Sequence, residues 1–356
     1  MSMRRFLLAL AGALLLLAGC TPSFSRAEML ANLSENVILP SHEALVRSAN
    51  DLATAVAAYN AAPSVAGLTA LREAWQATSL AWMAVSPYRF NRINDALLMN
   101  RIESLPARVP FIEETIAGGE PLTPEFVAGV GSSSQGLGAI EYLIFDATSA
   151  ADLAANPRRQ AYLAGATTGL VDNVVALRDI WSAEGEDYGR IFAEADADGG
   201  DLQGSTNMLV NQLLQSIENI TWDRIGKPSG RRSNGLVRPE LVEAPYSQSS
   251  LTRIRATVAA LETIYRGGDG PGLDDYLDYL EADYQDQPLS AAINAQFART
   301  LAALDAIDMP LEQAVNDDAA AVDLAFTELR QLITLLKGDM ASQLGVTLTF
   351  SDNDGD

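Results

Sequence analysis

The sequence predicts an all-α fold, arranged as two antiparallel four-helix-type bundles packed side by side. Three observations carry this. Apolar residues recur at spacings of three and four along most of the chain, the period of a helix with one buried face. Proline, glycine and capping residues cut that pattern into segments of helical length. Sustained strand-type alternation is missing, and the one exception, 346–350, is too isolated to build a sheet. With 356 residues, 48% of them hydrophobic and 20% charged, the chain can bury a large core and does not have the composition of a disordered protein.

The segments follow in order. Over 28–59 the inward positions are Leu45, Ala49, Leu52, Val56 and Tyr59, with Pro40 starting or kinking the main helix. Ser64 is placed to cap a helix with Leu68, Leu71, Trp75, Leu80 and Trp82 inside, and Ser86-Pro87 stops it. Residues 95–118 are broken at Pro106 and Pro110, and a short helix follows Thr123-Pro124. An apolar helix is expected over 135–146. Asn156 and Pro157 form a cap and first-turn pair for a helix reaching Trp181. A short piece at 188–195 precedes an acidic Gly loop at 196–201, and a long helix spans 202–225. The stretch 226–247 holds three Pro, three Gly and four basic residues and reads as a long surface loop, a kind that often serves function. Helices resume at 248–266, 272–284, 287–306 and 310–343. The expected organisation is an N-terminal bundle over 27–150 and a C-terminal bundle over 151–356, with the 226–247 loop as the rival boundary; two similar bundles would suggest a duplication, for which the self-similarity in the sequence is faint.

Composition removes several functions. There are 24 Lys+Arg against 46 Asp+Glu, a formal charge of −22, and a nucleic-acid backbone would be repelled by such a surface. One Cys excludes an intramolecular disulfide and Cys-based metal clusters, and one His excludes multi-histidine metal sites.

The lone Cys has its own reading. Arg4 and Arg5 precede an apolar run from Phe6 to Leu17, of signal-peptide length and short for a membrane span. The run ends Leu17-Ala18-Gly19-Cys20, which resembles a bacterial lipobox. In that reading 1–19 is cleaved, Cys20 carries the lipid and 20–26 is a tether. Acyl chains bury methylenes at about 0.8 kcal/mol each, so the membrane is a partner through an anchor rather than a span. Thr21 after the Cys favours the outer membrane, facing the periplasm. Cleavage removes Arg4 and Arg5 and no acid, leaving −24.

The segment with most chemical content is Gly136-Leu137-Gly138-Ala139-Ile140-Glu141-Tyr142-Leu143-Ile144-Phe145. Glu141 lies in a run that should be buried throughout, and a buried carboxylate costs several kcal/mol unless it is paired or hydrogen-bonded. Gly136 and Gly138 are poor helix formers and point to close backbone approach. In the blander reading this is a helix start with one salt-bridged Glu.

These residues resemble the imelysin family of helical bacterial envelope proteins, which is also catalogued as a metallopeptidase family. The family signature is Gly-x-His-x-x-Glu followed by an apolar run. The chain matches at Gly136, Glu141 and Tyr142–Phe145, and has Gly138 where the signature has His. Further matches are the Trp75…Pro87 helix end, the Arg159…Trp181 helix, Tyr246-Ser247, and the ending Leu344-Gly345-Val346…Phe350…Asp354-Gly355-Asp356. The resemblance implies a role in iron uptake with an envelope partner, and a site where the Tyr246-Ser247 segment approaches the Glu141 helix. There Arg231, Arg232 or Arg238 is placed to neutralise Glu141. Positions i and i+3 of a helix are neighbours, so a His at 138 and Glu141 would hold a metal or a water together, and Gly138 removes half of that pair. His42 reads as a partly exposed residue near a helix start rather than a replacement ligand. No catalytic residue is therefore assigned, and whether the chain is an enzyme stays open.

Glu194, Asp196, Asp198 and Gly199 imitate the start of a calcium loop, but its twelfth position is Ser205 instead of a bidentate Glu. Iron or another divalent cation is the cofactor class for such groups, and solvated acidic turns are the simpler reading. Three functions compete: a non-catalytic, lipid-anchored protein of iron acquisition with a ligand or partner cleft, a structural lipoprotein with a decayed site, and a metallopeptidase. The first is preferred.

Overall fold

The computed structural model describes residues 24–89, 92–95, 97–194 and 204–349. Within them the chain is almost wholly helical. The main helices are α1 (Leu39–Ala61), α2 (Val65–Val85), α3 (Val109–Ala117), α4 (Gly136–Phe145), α5 (Pro157–Trp181), α6 (Ser205–Asn219), α7 (Ser250–Arg266), α8 (Leu289–Asp305) and α9 (Ala319–Thr334). The only sheet among the described residues is a hairpin of β1 (Asp283–Tyr284) and β2 (Gln287–Pro288), with Tyr284 opposite Gln287.

The local signals act as the sequence suggests. Ser64 accepts the Gly67 N–H at the start of α2, and Asn156 accepts the Arg158 and Arg159 N–H groups ahead of Pro157. Leu45, Ala49, Leu52, Val56 and Tyr59 are all buried. The expected helix 310–343 is instead split, because Asp318 stops Leu311–Asp317 and caps α9 by accepting the Ala321 N–H. The expected helix 272–284 ends at Tyr279, and the hairpin follows. Residues 346–349 do not pair as a strand. The amides of Thr347 and Thr349 donate to the side chains of Asn207 and Asn211 at the start of α6.

Helix α1 packs on α2 and on α5, and α2 also packs on α7, so the second helix bridges early and late parts of the chain. Helix α5, just past the expected bundle boundary, lies against α1 and against Pro124–Ala128. Buried apolar residues from Met29 to Ala341 form one continuous cluster. Near its N-terminal end Phe24 stacks on Tyr276 with ring centroids 4.9 Å apart and planes nearly parallel. No helix among the described residues is long and apolar enough to cross a membrane.

His42 corrects an expectation. It is buried, not partly exposed, because the turn 33–38 carries helical structure ahead of Pro40 and turns the ring inward. Its Nδ1 bonds the Ile38 carbonyl at 2.8 Å, and its ring lies 5.8 Å from both Tyr88 and Trp181. Burial pushes its imidazole from 6.5 down to about 4. Between those values the unfolded chain binds a proton that the native state refuses, so the contribution is full above pH 6.5 and is lost as pH falls towards 4. We expect His42→Phe to flatten stability over that window. Urea midpoints at pH 7 and pH 4.5 check this, and an unchanged pH slope would contradict it.

Candidate functional site

Helix α4 is nearly all buried, and two of its glycines are explained by their neighbours. Gly136 has φ +66°, and a Cβ there would collide with the carbonyl oxygens of Arg101 and Ile102. Only glycine lets the helix start so close to that backbone. At Gly138 a Cβ would meet the Leu105 Cδ2 at 2.9 Å. The space into which a side chain at 138 would grow is thus occupied by Leu105.

One turn on, Glu141 is 2% exposed. Its Oε1 accepts the Ser247 backbone N–H at 2.9 Å and the Ser247 hydroxyl at 2.7 Å. The Ser247 hydroxyl is also 2.7 Å from that of Ser249. Tyr246 packs edge-on against Tyr142 at 5.4 Å. Burial dominates the Glu141 carboxyl and pushes it from 4.5 up to about 7, while the two Ser247 bonds and the positive charge of Arg253 pull the other way.

Arg253 is the centre of the surrounding charge. It sits on the inward face of α7 and is 1% exposed. Its Nη2 donates to both Glu103 oxygens at 2.7 and 2.8 Å, its Nε to Glu243 Oε1 at 2.9 Å, and its Nη1 to the Ser79 hydroxyl. Burial works against this guanidinium, but Glu103 and Glu243 more than offset it and raise its proton affinity. Arg224, at the end of the turn continuing α6, donates to Glu243 Oε1 at 2.5 Å and to the Thr257 hydroxyl at 2.9 Å. Burial opposes the charge of Glu243 too, and Arg224 with Arg253 outweighs it, so its carboxyl stays below the usual range. Trp82 Nε1 donates to Glu103 Oε2 at 3.0 Å. Arg89 is held below its usual value by burial, with Glu103 opposing the drop.

This network floors an open cleft of about 400 Å³, lined by Met83, Arg89, Glu103, Arg224, Glu243 and Thr257 on one side and by polar residues of α6, from Gln212 to Asn219, on the other. Glu141 stands behind it, in the field of both Arg253 and Glu103. Chemically the cleft offers fixed, paired charges to a small polar ligand and has little apolar wall to hold a lipophilic one.

The sequence-derived candidates fare unequally. Glu141, Tyr246 and Ser247 come together from residues more than one hundred positions apart, with Gly136 and Gly138 at the start of the same helix. The expectation that Arg231, Arg232 or Arg238 neutralises Glu141 is corrected. Arg231 pairs with Asp323, Arg238 with Glu240, and the Arg232 guanidinium lies 5.4 Å from the Trp222 ring centroid. None of them is among the groups that act on Glu141, since Arg231 and Arg238 are met by nearer acids and Arg232 lies over an indole. Glu194 is ion-paired to Arg190 on the surface, while Asp196, Asp198 and Cys20 lie outside the described residues. Among the described residues no three His, Cys, Asp or Glu side chains converge as a metal site needs. Position 138 offers no donor and Glu141 Oε1 is taken by Ser247, so these two positions do not form a metal-ligand pair.

Glu103, Glu243, Arg224 and Arg253 escaped the sequence reading. Arg253 lies at one edge of the buried face of α7, beside Thr257 and Ile264 and off the stripe set by Leu251, Ile254, Val258 and Leu261, so the apolar period did not mark it. The two glutamates lie in irregular segments where no period marks a side chain as inward.

Fold and site together define a helical protein with an open, charge-compensated polar cleft over a buried ion-pair network, built by helices from both halves of the sequence. The family profile described as Imelysin matches residues 38–336, and the chain belongs to the imelysin family. It is 22% identical over 309 residues to the iron-regulated protein A of Synechococcus elongatus, covering 85% of this chain and 82% of that one. Two crystal structures share the fold. One, described as an iron-regulated protein A precursor from Parabacteroides distasonis, has a TM-score of 0.76 at 19% identity, covering 92% of this chain and 97% of that one. The other, an imelysin-like protein from Psychrobacter arcticum, has a TM-score of 0.73 at 18% identity, covering 91% and 97%.

Proposed function

We propose that this protein is a non-catalytic, lipid-anchored member of the family on the periplasmic face of the envelope, with an accessory role in iron acquisition through the cleft above Arg253. The observation that carries the non-catalytic part is at position 138. The signature's His is replaced by glycine, and Leu105 fills the space it would take. A water-activating metal therefore lacks its second ligand beside Glu141. The iron link rests on the relative named iron-regulated protein A. The anchor rests on the lipobox-like Leu17-Ala18-Gly19-Cys20 and the basic, apolar segment before it. An envelope protein of iron uptake is the partner class this reading implies.

Metal analysis of the mature protein beside a Glu141→Ala variant tests it. The expected result is no stoichiometric tight metal in either. Stoichiometric metal in the parent that is lost in the variant would overturn the non-catalytic reading. Radiolabelled palmitate incorporated in the parent and absent from Cys20→Ser tests the anchor.

The state of Glu141 is testable separately. Its carboxyl is raised, so the unfolded chain loses its proton before the native state does, and stability falls as pH rises from 4.5 through about 7. The full effect is roughly 3 kcal/mol. Glu141→Gln, which stays neutral, should remove that fall, and denaturant midpoints at pH 5 and pH 8 should show it. A variant whose midpoint drops as much as the parent's would refute the raised carboxyl.

A further inference from the structure

A second cleft, of about 530 Å³, lies away from Glu141 and Arg253, between α8, α9 and the β1–β2 hairpin. Its lining has a distinctive chemistry. Four glutamines (285, 287, 296 and 331), Arg299 and Arg330 contribute, together with Thr327, Thr334 and Tyr284. Among the described residues no aspartate or glutamate lines it, although acids outnumber bases 46 to 24 in the chain.

The floor is built rather than incidental. Gln296 is fully buried and both ends of its amide are used. Its Nε2 donates to the Glu328 carbonyl at 2.9 Å and to Glu328 Oε2 at 2.7 Å, and its Oε1 accepts Nη2 and Nε of Arg299 at 2.6 and 3.2 Å. The amide thus orients the Arg299 guanidinium, which is also ion-paired at 3.7 Å to the Glu328 carboxylate that Gln296 holds. Arg330, one α9 turn below Thr334, has no side-chain partner among the described residues. The cations of the 226–247 loop differ, since Lys227, Arg231 and Arg238 are each met by an acid. At the rim, Gln285 and Asp286 turn the hairpin with φ of +49° and +63°, conformations non-glycine residues adopt at a cost of roughly 1 kcal/mol or more each. That turn brings Tyr284, Gln285 and Gln287 to the opening, where Gln285 Nε2 donates to the Tyr284 hydroxyl at 3.2 Å.

We propose that this cleft binds an acidic carbohydrate. Arg299 and Arg330 supply charge-assisted donors for one carboxylate. The exposed primary amides of Gln285, Gln287 and Gln331 both donate and accept, which matches vicinal hydroxyls, each of which does the same. The Tyr284 ring offers an apolar face for the C–H face of a sugar. Among the described residues Ala292 and Leu335 are the only aliphatic lining, so a lipophilic ligand finds no wall, and two arginines without a helix-start cradle are few for a polyphosphate.

Calorimetric titration of the full chain tests this, with N-acetylmuramate and glucuronate as acidic probes and N-acetylglucosamine, glucose and acetate as controls. Saturable binding of at least one acidic sugar is expected, at least about tenfold tighter than its neutral counterpart and than acetate, as loss of one charge-assisted pair implies. Arg330→Gln, an exposed change that leaves the fold intact by its unfolding midpoint, should weaken that binding by about tenfold as well. Preference for N-acetylmuramate would identify a wall-derived source, and preference for glucuronate a uronate polymer. No saturable binding of either acid, equal binding of acetate, or unchanged binding in Arg330→Gln would each overturn the proposal. The result is independent of the Arg253 cleft, because Arg330→Gln leaves every residue of that network in place.

Discussion

Replacing Arg253 with Met is expected to cost about 3–5 kcal/mol of stability, the range for breaking a buried pair and leaving its partner charged. One guanidinium serves Glu103 with two bonds, Glu243 with one and Ser79 with one. In the variant Glu243 keeps Arg224, and Glu103 keeps only the Trp82 indole among its bonds described above. The cost is therefore concentrated on Glu103, whose side chain is 12% exposed. Arg253→Lys keeps the charge but not the fork, and should fall between the parent and Met. Arg253 is one of the two charges that hold the Glu243 carboxyl below its usual range, so the Met variant should lose less stability than the parent as pH falls, and its deficit should shrink in acid. Urea unfolding of the three proteins at pH 7 and pH 3.5 measures both trends. A Met variant within about 1 kcal/mol of the parent at pH 7 would mean the network is solvated, contrary to its burial.

The second large effect is expected at Gly136. Ala there must adopt φ +66°, which costs an L-residue about 1–2 kcal/mol, and its methyl collides with two backbone carbonyls that cannot rotate away. The total should exceed about 3 kcal/mol, placing the variant among the severely destabilised. Gly138→Ala is the matched control. It meets the far end of the Leu105 side chain, which can change rotamer, so its loss should stay near about 1 kcal/mol. Thermal melting of the pair separates them, and equal losses would show that backbone approach at 136 is not what fixes its glycine. The contrast also bears on function. A larger residue at 138 requires Leu105 to leave the space beside Glu141.

The helices themselves are local objects, and the sequence alone determined them. The period of three and four, the caps at Ser64 and Asn156 and the stop at Ser86-Pro87 all act within a few residues of where they are written. Glu141 was legible for the same reason, as a charge inside an unbroken apolar run. Gly138, against the family signature, marks the departure in the sequence itself. Where Asp318 splits one long expected helix, a side-chain cap overrides a periodicity that continues through it.

Only the tertiary structure decided who meets Glu141. Ser247, 106 residues away, does so, and the expected arginines 231, 238 and 232 lie instead against Asp323, Glu240 and Trp222. It also decided that the central cation is Arg253, that His42 is buried, and that glutamines of two helices and a hairpin share a second cleft. The physical reason is common to all four. Helix periodicity states which face of a segment turns inward, but the partner of a buried charge is set by which helices pack together, and that depends on contacts between residues far apart in the chain.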